Sequence, residues 1–184
     1  MRVIAGTAKG QRLKVPKLGI VRPATELVRG AIFSILENTA KDWSLVLDLF
    51  SGSGAMGIEA LSRGAGQADF VDRESRCCDI IKENLEKTKL AEWAHVYCTG
   101  VNKAISFLDK EYSIIIMDPP YADLTIGDTI RQLANSKLVG ANTTLVVTHS
   151  PRLTLEPEYD SLKIVKERRH GDSCISVYQK EEER

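Results

Sequence analysis

The chain has no net charge: 25 Lys and Arg face 25 Asp and Glu among its 184 residues. Overall electrostatics therefore name no polyanionic partner. A cysteine pattern is missing as well. Cys77, Cys78, Cys98 and Cys174 show neither CxxC spacing nor a partner histidine cluster, which argues against a metal site and against a disulfide framework. They read as buried or half-buried thiols of a reducing compartment. No apolar run reaches membrane-spanning length, and charge and glycine interrupt the opening residues before a signal-peptide core can form. Internal repeats and low-complexity tracts are also missing. The expectation is a soluble, cytoplasmic protein without metal or membrane partner, most simply a monomer.

What is present is enough for one domain with a substantial core, at 43% apolar residues. We read residues 1–184 as a single domain, with residues 1–40 as a basic N-terminal extension and 41–184 as an α/β core. Charge is unevenly spread. Arg2, Lys9, Arg12, Lys14, Lys17, Arg22 and Arg29 face only Glu26 within the first 30 residues, a strongly basic arm that the rest of the chain offsets. From Arg2 to Val15 two extended stretches flank Gly6-Thr7-Ala8-Lys9-Gly10, which predicts a β-hairpin with charges along one exposed ribbon. Pro23 ends the arm and Thr25 is the candidate N-cap of an amphipathic helix reaching about Glu37, with Leu27, Val28, Ala31, Ile32, Ile35 and Leu36 at helical spacing.

Beyond Trp43 short apolar runs at 45–48, 68–72, 95–98, 112–117 and 143–148 alternate with helical patterns at 55–63, 75–90, 102–108 and 125–136. That order predicts a parallel sheet covered on both faces. Runs at 161–167 and 173–179 flank His170-Gly171-Asp172, a tight-turn signal for a closing antiparallel hairpin. Residues 181–184 read as a frayed tail.

Two motifs carry chemistry. Asp118-Pro119-Pro120-Tyr121 follows the fourth run, where two prolines remove two backbone donors and end the strand abruptly. The Asp118 carboxylate and the Pro119 carbonyl can accept the hydrogens of an exocyclic amine while Tyr121 stacks on its ring. Methylating a nucleobase amine needs such a grip. The other motif is the first run's exit, Asp48-Leu49-Phe50-Ser51-Gly52-Ser53-Gly54-Ala55-Met56-Gly57, a GxGxxG loop between strand and helix. Asp72 ends the next run, where an acid can hold ribose hydroxyls of either a dinucleotide or S-adenosylmethionine. The loop alone does not choose. Asp48 favours the methyl donor, because a carboxylate suits its cationic amino group and would repel a pyrophosphate.

The stretch from Val46 to Ala65, together with Met117-Asp118-Pro119-Pro120-Tyr121-Ala122, resembles the bacterial family that methylates a guanine N2 amine in small-subunit (16S) ribosomal RNA. Arg2-Val3-Ile4-Ala5-Gly6, Gly10-Gln11-Arg12-Leu13, Arg22-Pro23-Ala24-Thr25 and Arg169-His170-Gly171-Asp172 are similar to that family too. The resemblance implies a Rossmann-like methyltransferase fold, α/β with seven mostly parallel strands, preceded by the basic hairpin and helix. It implies S-adenosylmethionine as cofactor, S-adenosylhomocysteine as product, and ribosomal RNA or an assembling small subunit as partner. Asp118, Pro119 and Tyr121 would be catalytic; Asp48, Ser51, Gly52, Ser53, Gly54 and Asp72 would hold the cofactor; Lys9, Arg12, Lys14, Arg22, Thr25 and Arg29 would hold RNA phosphates. Where the family carries an acid after the third strand this chain has Gly100-Val101-Asn102-Lys103, leaving Asn102 as the candidate contact to the cofactor's adenine. Thr148-His149 stands where the family has Glu before its histidine, and His149 reads as a structural residue. Rival readings are an N6-adenine or N4-cytosine methyltransferase on DNA or RNA, an NAD(P)-dependent oxidoreductase, and a non-catalytic RNA-binding protein.

Overall fold

The computed structural model describes residues 1–17 and 24–180. Arg22 and Pro23, and the expected tail at 181–184, lie outside the described residues. Helix α1 (Glu26–Thr39) starts where Thr25 Oγ1 accepts the Val28 N–H at 3.2 Å, the N-cap its position predicts. The elements then run β1 (Leu45–Leu49), α2 (Ala55–Ser62), β2 (Gln67–Asp72), α3 (Ser75–Lys87), a single 3-10 turn (Ala91–Trp93), β3 (Ala94–Cys98), α4 (Val101–Phe107), β4 (Tyr112–Met117), α5 (Ile126–Ala134), β5 (Val139–His149), β6 (Glu158–Tyr159), β7 (Leu162–His170) and β8 (Ser173–Lys180).

The sheet has eight strands in the order β3-β2-β1-β4-β5-β8-β7-β6, where seven were expected. The extra strand is β6, two residues long, whose Glu158 and Tyr159 pair with Lys163 and Leu162. Two residues leave no periodicity to read. Strands β1 to β5 pair in parallel, whereas β8, β7 and β6 add antiparallel on the β5 side. The closing hairpin turns at Gly171 (φ 59) and Asp172, with His170 opposite Ser173.

Two apolar layers sandwich the sheet. On one face Ile116, Val146, Ile175 and Val177 meet Ile32, Phe33 and Leu36 of α1, the α2 residues Met56, Ile58 and Leu61, and Val3, Ala8 and Leu13 of the arm. On the other, Leu47, Ile115, Met117 and Val147 meet Ala104 and Ile105 of α4 and Ile126, Ile130 and Leu133 of α5. Burial on both sides explains why β4 is apolar from Ile114 to Met117.

The N-terminal arm doubles back as expected, although a single bridge, Arg2 to Arg12, replaces a full ladder. Further backbone bonds join Val3 N–H to Gln11 O and Leu13 N–H to Met1 O, both at 3.0 Å. The ladder is short because the turn's donors go to α2 instead: Thr7 N–H to Ser62 O at 2.8 Å and Ala8 N–H to Ser62 Oγ at 2.9 Å. Gly6 (φ 85) lies so close that a Cβ there would sit 1.8 Å from the Ser62 carbonyl oxygen.

Candidate active site

All the groups singled out on the core converge at the carboxyl edge of the parallel strands, where open α/β sheets bind ligands. Leu49 of β1 is paired with Met117 of β4, so the glycine loop and the Asp118 turn leave the sheet side by side. Gly52 (φ 58) and Gly54 (φ 80) shape the loop. Gly57, one helical turn on, lets α2 settle against the sheet, since a Cβ there would meet the Phe70 ring at 2.3 Å.

Asp48 is almost wholly buried and its Oδ2 accepts the Gly57 N–H at 2.9 Å. Its Oδ1 is buried with no hydrogen-bond partner among the described residues. Burial pushes the Asp48 carboxyl well above the usual range, the Gly57 bond opposes this, and the nearby Asp118 and Asp72 charges add to it. A buried acceptor without a donor is costly. An arriving ammonium group would supply that donor, so this corner fits a ligand bearing a cationic amine beside the glycine loop. Asp72 Oδ2 accepts the Gly52 N–H and Oδ1 the Glu74 N–H, each at 2.9 Å; a carboxylate keeps further lone pairs for hydroxyl donors.

The hydroxyls of the two loop serines are engaged within the protein. Ser51 Oγ donates to the Asp48 carbonyl and accepts the Val71 N–H, stitching β1 to β2. Ser53 is buried, its carbonyl accepting from Asn84 Nδ2 at 2.8 Å. Neither hydroxyl is held out towards a ligand. Asn102 is exposed in the first turn of α4, with its carbonyl taken by Gln132 Nε2 at 2.9 Å and its carboxamide open.

At the end of β4, Asp118 accepts a hydrogen bond from Thr148 Oγ1. Burial raises its carboxyl to about 6, with the Thr148 hydroxyl and the Ala24 backbone N–H pulling the other way. Ala24 thus brings the root of α1 against the turn. Pro119 is buried and Pro120 exposed. Tyr121 keeps 40% of its surface exposed and its hydroxyl donates to Ser173 Oγ at 2.6 Å, tethering the turn to the β7–β8 hairpin. A half-exposed ring beside a half-buried carboxylate suits stacking on a planar base. His149 is buried one strand over, with Nδ1 donating to the Ser150 carbonyl at 3.0 Å and Nε2 bonded to Ser176 Oγ at 2.8 Å.

The basic arm divides. Lys9, Arg12 and Lys14 are exposed, Lys14 also pairing with Glu83 at 3.0 Å. Thr25 is exposed as the α1 cap. Arg29, expected on the RNA side, is fully buried. Its Nη1 faces Glu59 Oε1 at 3.4 Å and its Nη2 donates to the Arg2 carbonyl at 2.8 Å, so no phosphate can reach it. It falls at a helical position facing the core, and its buried partner Glu59 also accepts the Ile4 and Ala5 N–H groups.

Three contributors escaped the sequence reading. Thr148 holds Asp118, Ser173 holds Tyr121, and Asn84 of α3 bonds the arm and the glycine loop together, accepting from Lys14 N–H at 2.8 Å while donating to Lys14 O at 2.9 Å and to Ser53 O. Each acts across a sequence gap that no local pattern reports. A buried Asn in the apolar stripe of α3 was the one visible signal, because a buried carboxamide demands partners.

Comparison with known proteins is consistent with this geometry. The family described as "Conserved hypothetical protein 95" matches residues 1–179. The Bacillus subtilis candidate rRNA methyltransferase YlbH is 31% identical over 183 residues, covering 98% of this chain and 99% of its own. The Escherichia coli (strain K12) ribosomal RNA small subunit methyltransferase D is 28% identical, covering 98% and 90%. Among solved structures, the E. coli candidate methyltransferase yhhF superposes with a TM-score of 0.84 at 27% identity, covering 100% of this chain and 99% of its own.

Proposed function

The chain belongs to the bacterial small-subunit ribosomal RNA methyltransferase family, and from this we propose that it methylates the exocyclic N2 amine of a guanine in small-subunit ribosomal RNA, with S-adenosylmethionine as donor. The observation that carries the reading is the juxtaposition of the Asp118 turn with a glycine loop whose Asp48 has a buried acceptor without a partner among the described residues. Asp48, the loop backbone at Gly52 and Gly54, Asp72 and Asn102 would hold the donor, which supplies a methyl group on an electrophilic sulfonium and leaves as S-adenosylhomocysteine.

The protein's own work is alignment. An exocyclic amine is a poor nucleophile because its lone pair is delocalised into the ring. The Asp118 carboxylate and the Pro119 carbonyl accept its two hydrogens, which favours a pyramidal nitrogen with a recovered lone pair. Thr148 fixes the carboxylate's orientation. Tyr121 stacks on a base drawn out of its helix, since the amine is unreachable within the stack. After transfer the nitrogen loses a proton, for which Asp118 is the adjacent acceptor. Lys9, Arg12 and Lys14 hold phosphates without reading sequence.

The test is incubation with small ribosomal subunits from a strain lacking this protein, using labelled S-adenosylmethionine, followed by nucleoside mass spectrometry. N2-methylguanosine is the expected product. N6-methyladenosine or N4-methylcytidine would reassign the amine, and no labelled product at all would remove the ribosomal assignment.

A further inference from the structure

Register carries one row of side chains from the proposed catalytic carboxylate to the far edge of the sheet. Thr148, which bonds Asp118, is paired with Ile175 of β8, and Ile175 is paired with Arg168 of β7. One row back, Ile116 and Val146 share the α1 face of the sheet with Val177, which is paired with Lys166. Directly paired residues lie on the same face of a sheet. Lys166 and Arg168 therefore stand on the face that α1 and the arm cover further in, whereas Glu167, paired with Ser176, belongs to the opposite face. Its Oε2 accepts there from Ser176 Oγ.

Both cations lack an ion-pair partner among the described residues. Arg168 is exposed, as is Arg152 on the loop after β5. Three strand spacings separate Arg168 from the Asp118 row, about 14 Å. Tyr121, bonded to Ser173 at the hairpin's tip, lies between. The arm packs on α2 and α3 on the other flank of the same corner.

We infer that the β7–β8 hairpin is a second RNA contact: Lys166 and Arg168 bind backbone phosphates on the β5 side of the extruded base, opposite the arm. The inference rests on the RNA reading above. Two separated cationic flanks fix the strand's direction across the carboxyl edge, which a single arm cannot do, and the target base is then presented between them.

The test compares the Lys166→Ala/Arg168→Ala protein with wild type and with Lys87→Ala/Lys137→Ala, a control pair remote from the carboxyl edge. Binding to methylation-deficient small ribosomal subunits is followed across a salt series, and S-adenosylmethionine binding by calorimetry. The hairpin variant should bind the particle about tenfold more weakly near physiological salt, with a log–log salt slope shallower by about 1.5, as two lost phosphate contacts require. Its cofactor affinity and thermal midpoint should match wild type. An unchanged slope, an equal loss in the control pair, or a weaker affinity at constant slope, which would indicate a protein surface, overturns the hairpin contact while wild-type methylation stands. A wild-type protein that neither binds nor methylates the particle removes the RNA reading and the hairpin contact with it.

Discussion

Asp48 and Gly57 are joined by a 2.9 Å hydrogen bond that spans the glycine loop, closing it from below while the other Asp48 oxygen is buried with no partner among the described residues. The arrangement carries a cost that a cationic ligand would relieve. Asp48→Asn keeps an oxygen for Gly57 and removes the carboxyl whose ionisation burial opposes. It should raise the thermal midpoint near neutral pH and weaken S-adenosylmethionine binding at least about tenfold, the loss expected when a charge-assisted bond becomes a neutral one. Differential scanning fluorimetry and calorimetry read the two opposite effects.

Asp118 sets an acid limb. With its carboxyl raised to about 6, methyl transfer should fall about tenfold per pH unit below that value, because the protonated form no longer accepts from the amine. Thr148→Val removes a bond that favours the anion, so the limb should move to higher pH. The stability sign follows from the same shift. The native carboxyl binds its proton at a higher pH than the unfolded one, so Asp118 lowers stability as pH rises from about 4 to about 6. Asp118→Asn should flatten that contribution in denaturant titrations at several pH values, and it should lose turnover while retaining S-adenosylmethionine.

Tyr121 separates stacking from tethering. Tyr121→Ala should cut kcat/KM by about 10- to 100-fold, the worth of one base–aromatic stack. Tyr121→Phe keeps the ring and loses only the Ser173 bond, so its defect should be several-fold at most. Steady-state kinetics on the ribosomal particle distinguishes them.

The arm's arginines and lysines should part company. Lys9→Ala/Arg12→Ala/Lys14→Ala should weaken RNA binding in a salt-dependent way with cofactor binding intact. Arg29→Ala removes one of the two cations paired with Glu59, which keeps Arg63 Nε at 2.9 Å, and strips the Arg2 carbonyl of its donor, so it should cost about 1–3 kcal/mol of stability. Equilibrium denaturation measures that loss, and the variant's salt slope for RNA should be that of wild type.

The alternation of short buried runs with helical patterns makes the parallel core legible, and the glycine and proline motifs mark in the sequence the two turns that the fold brings side by side. Charge was less informative. Arg29 reads like Lys9 or Arg12 in a basic stretch, yet helical phase turns it inward onto Glu59, 30 residues away. Thr148 and Ser173 look like ordinary strand residues, and only sheet register brings them to Asp118 and Tyr121. Ser51 and Ser53 show the converse: a motif's letters fix the loop's shape, whereas the Ser51 hydroxyl serves the backbone around it and the Ser53 hydroxyl faces the Met1 sulfur.

One carboxamide gives the molecule a shared pin. Asn84 is hydrogen-bonded to both polar groups of the Lys14 backbone and to the carbonyl of Ser53, so the basic ribbon proposed to meet nucleic acid and the glycine bend proposed to cradle the donor hang from the same buried point. Neither can swing outward without breaking bonds at that point and leaving it unsatisfied inside the protein. The proposed recognition and chemistry would thereby be mounted on one chassis.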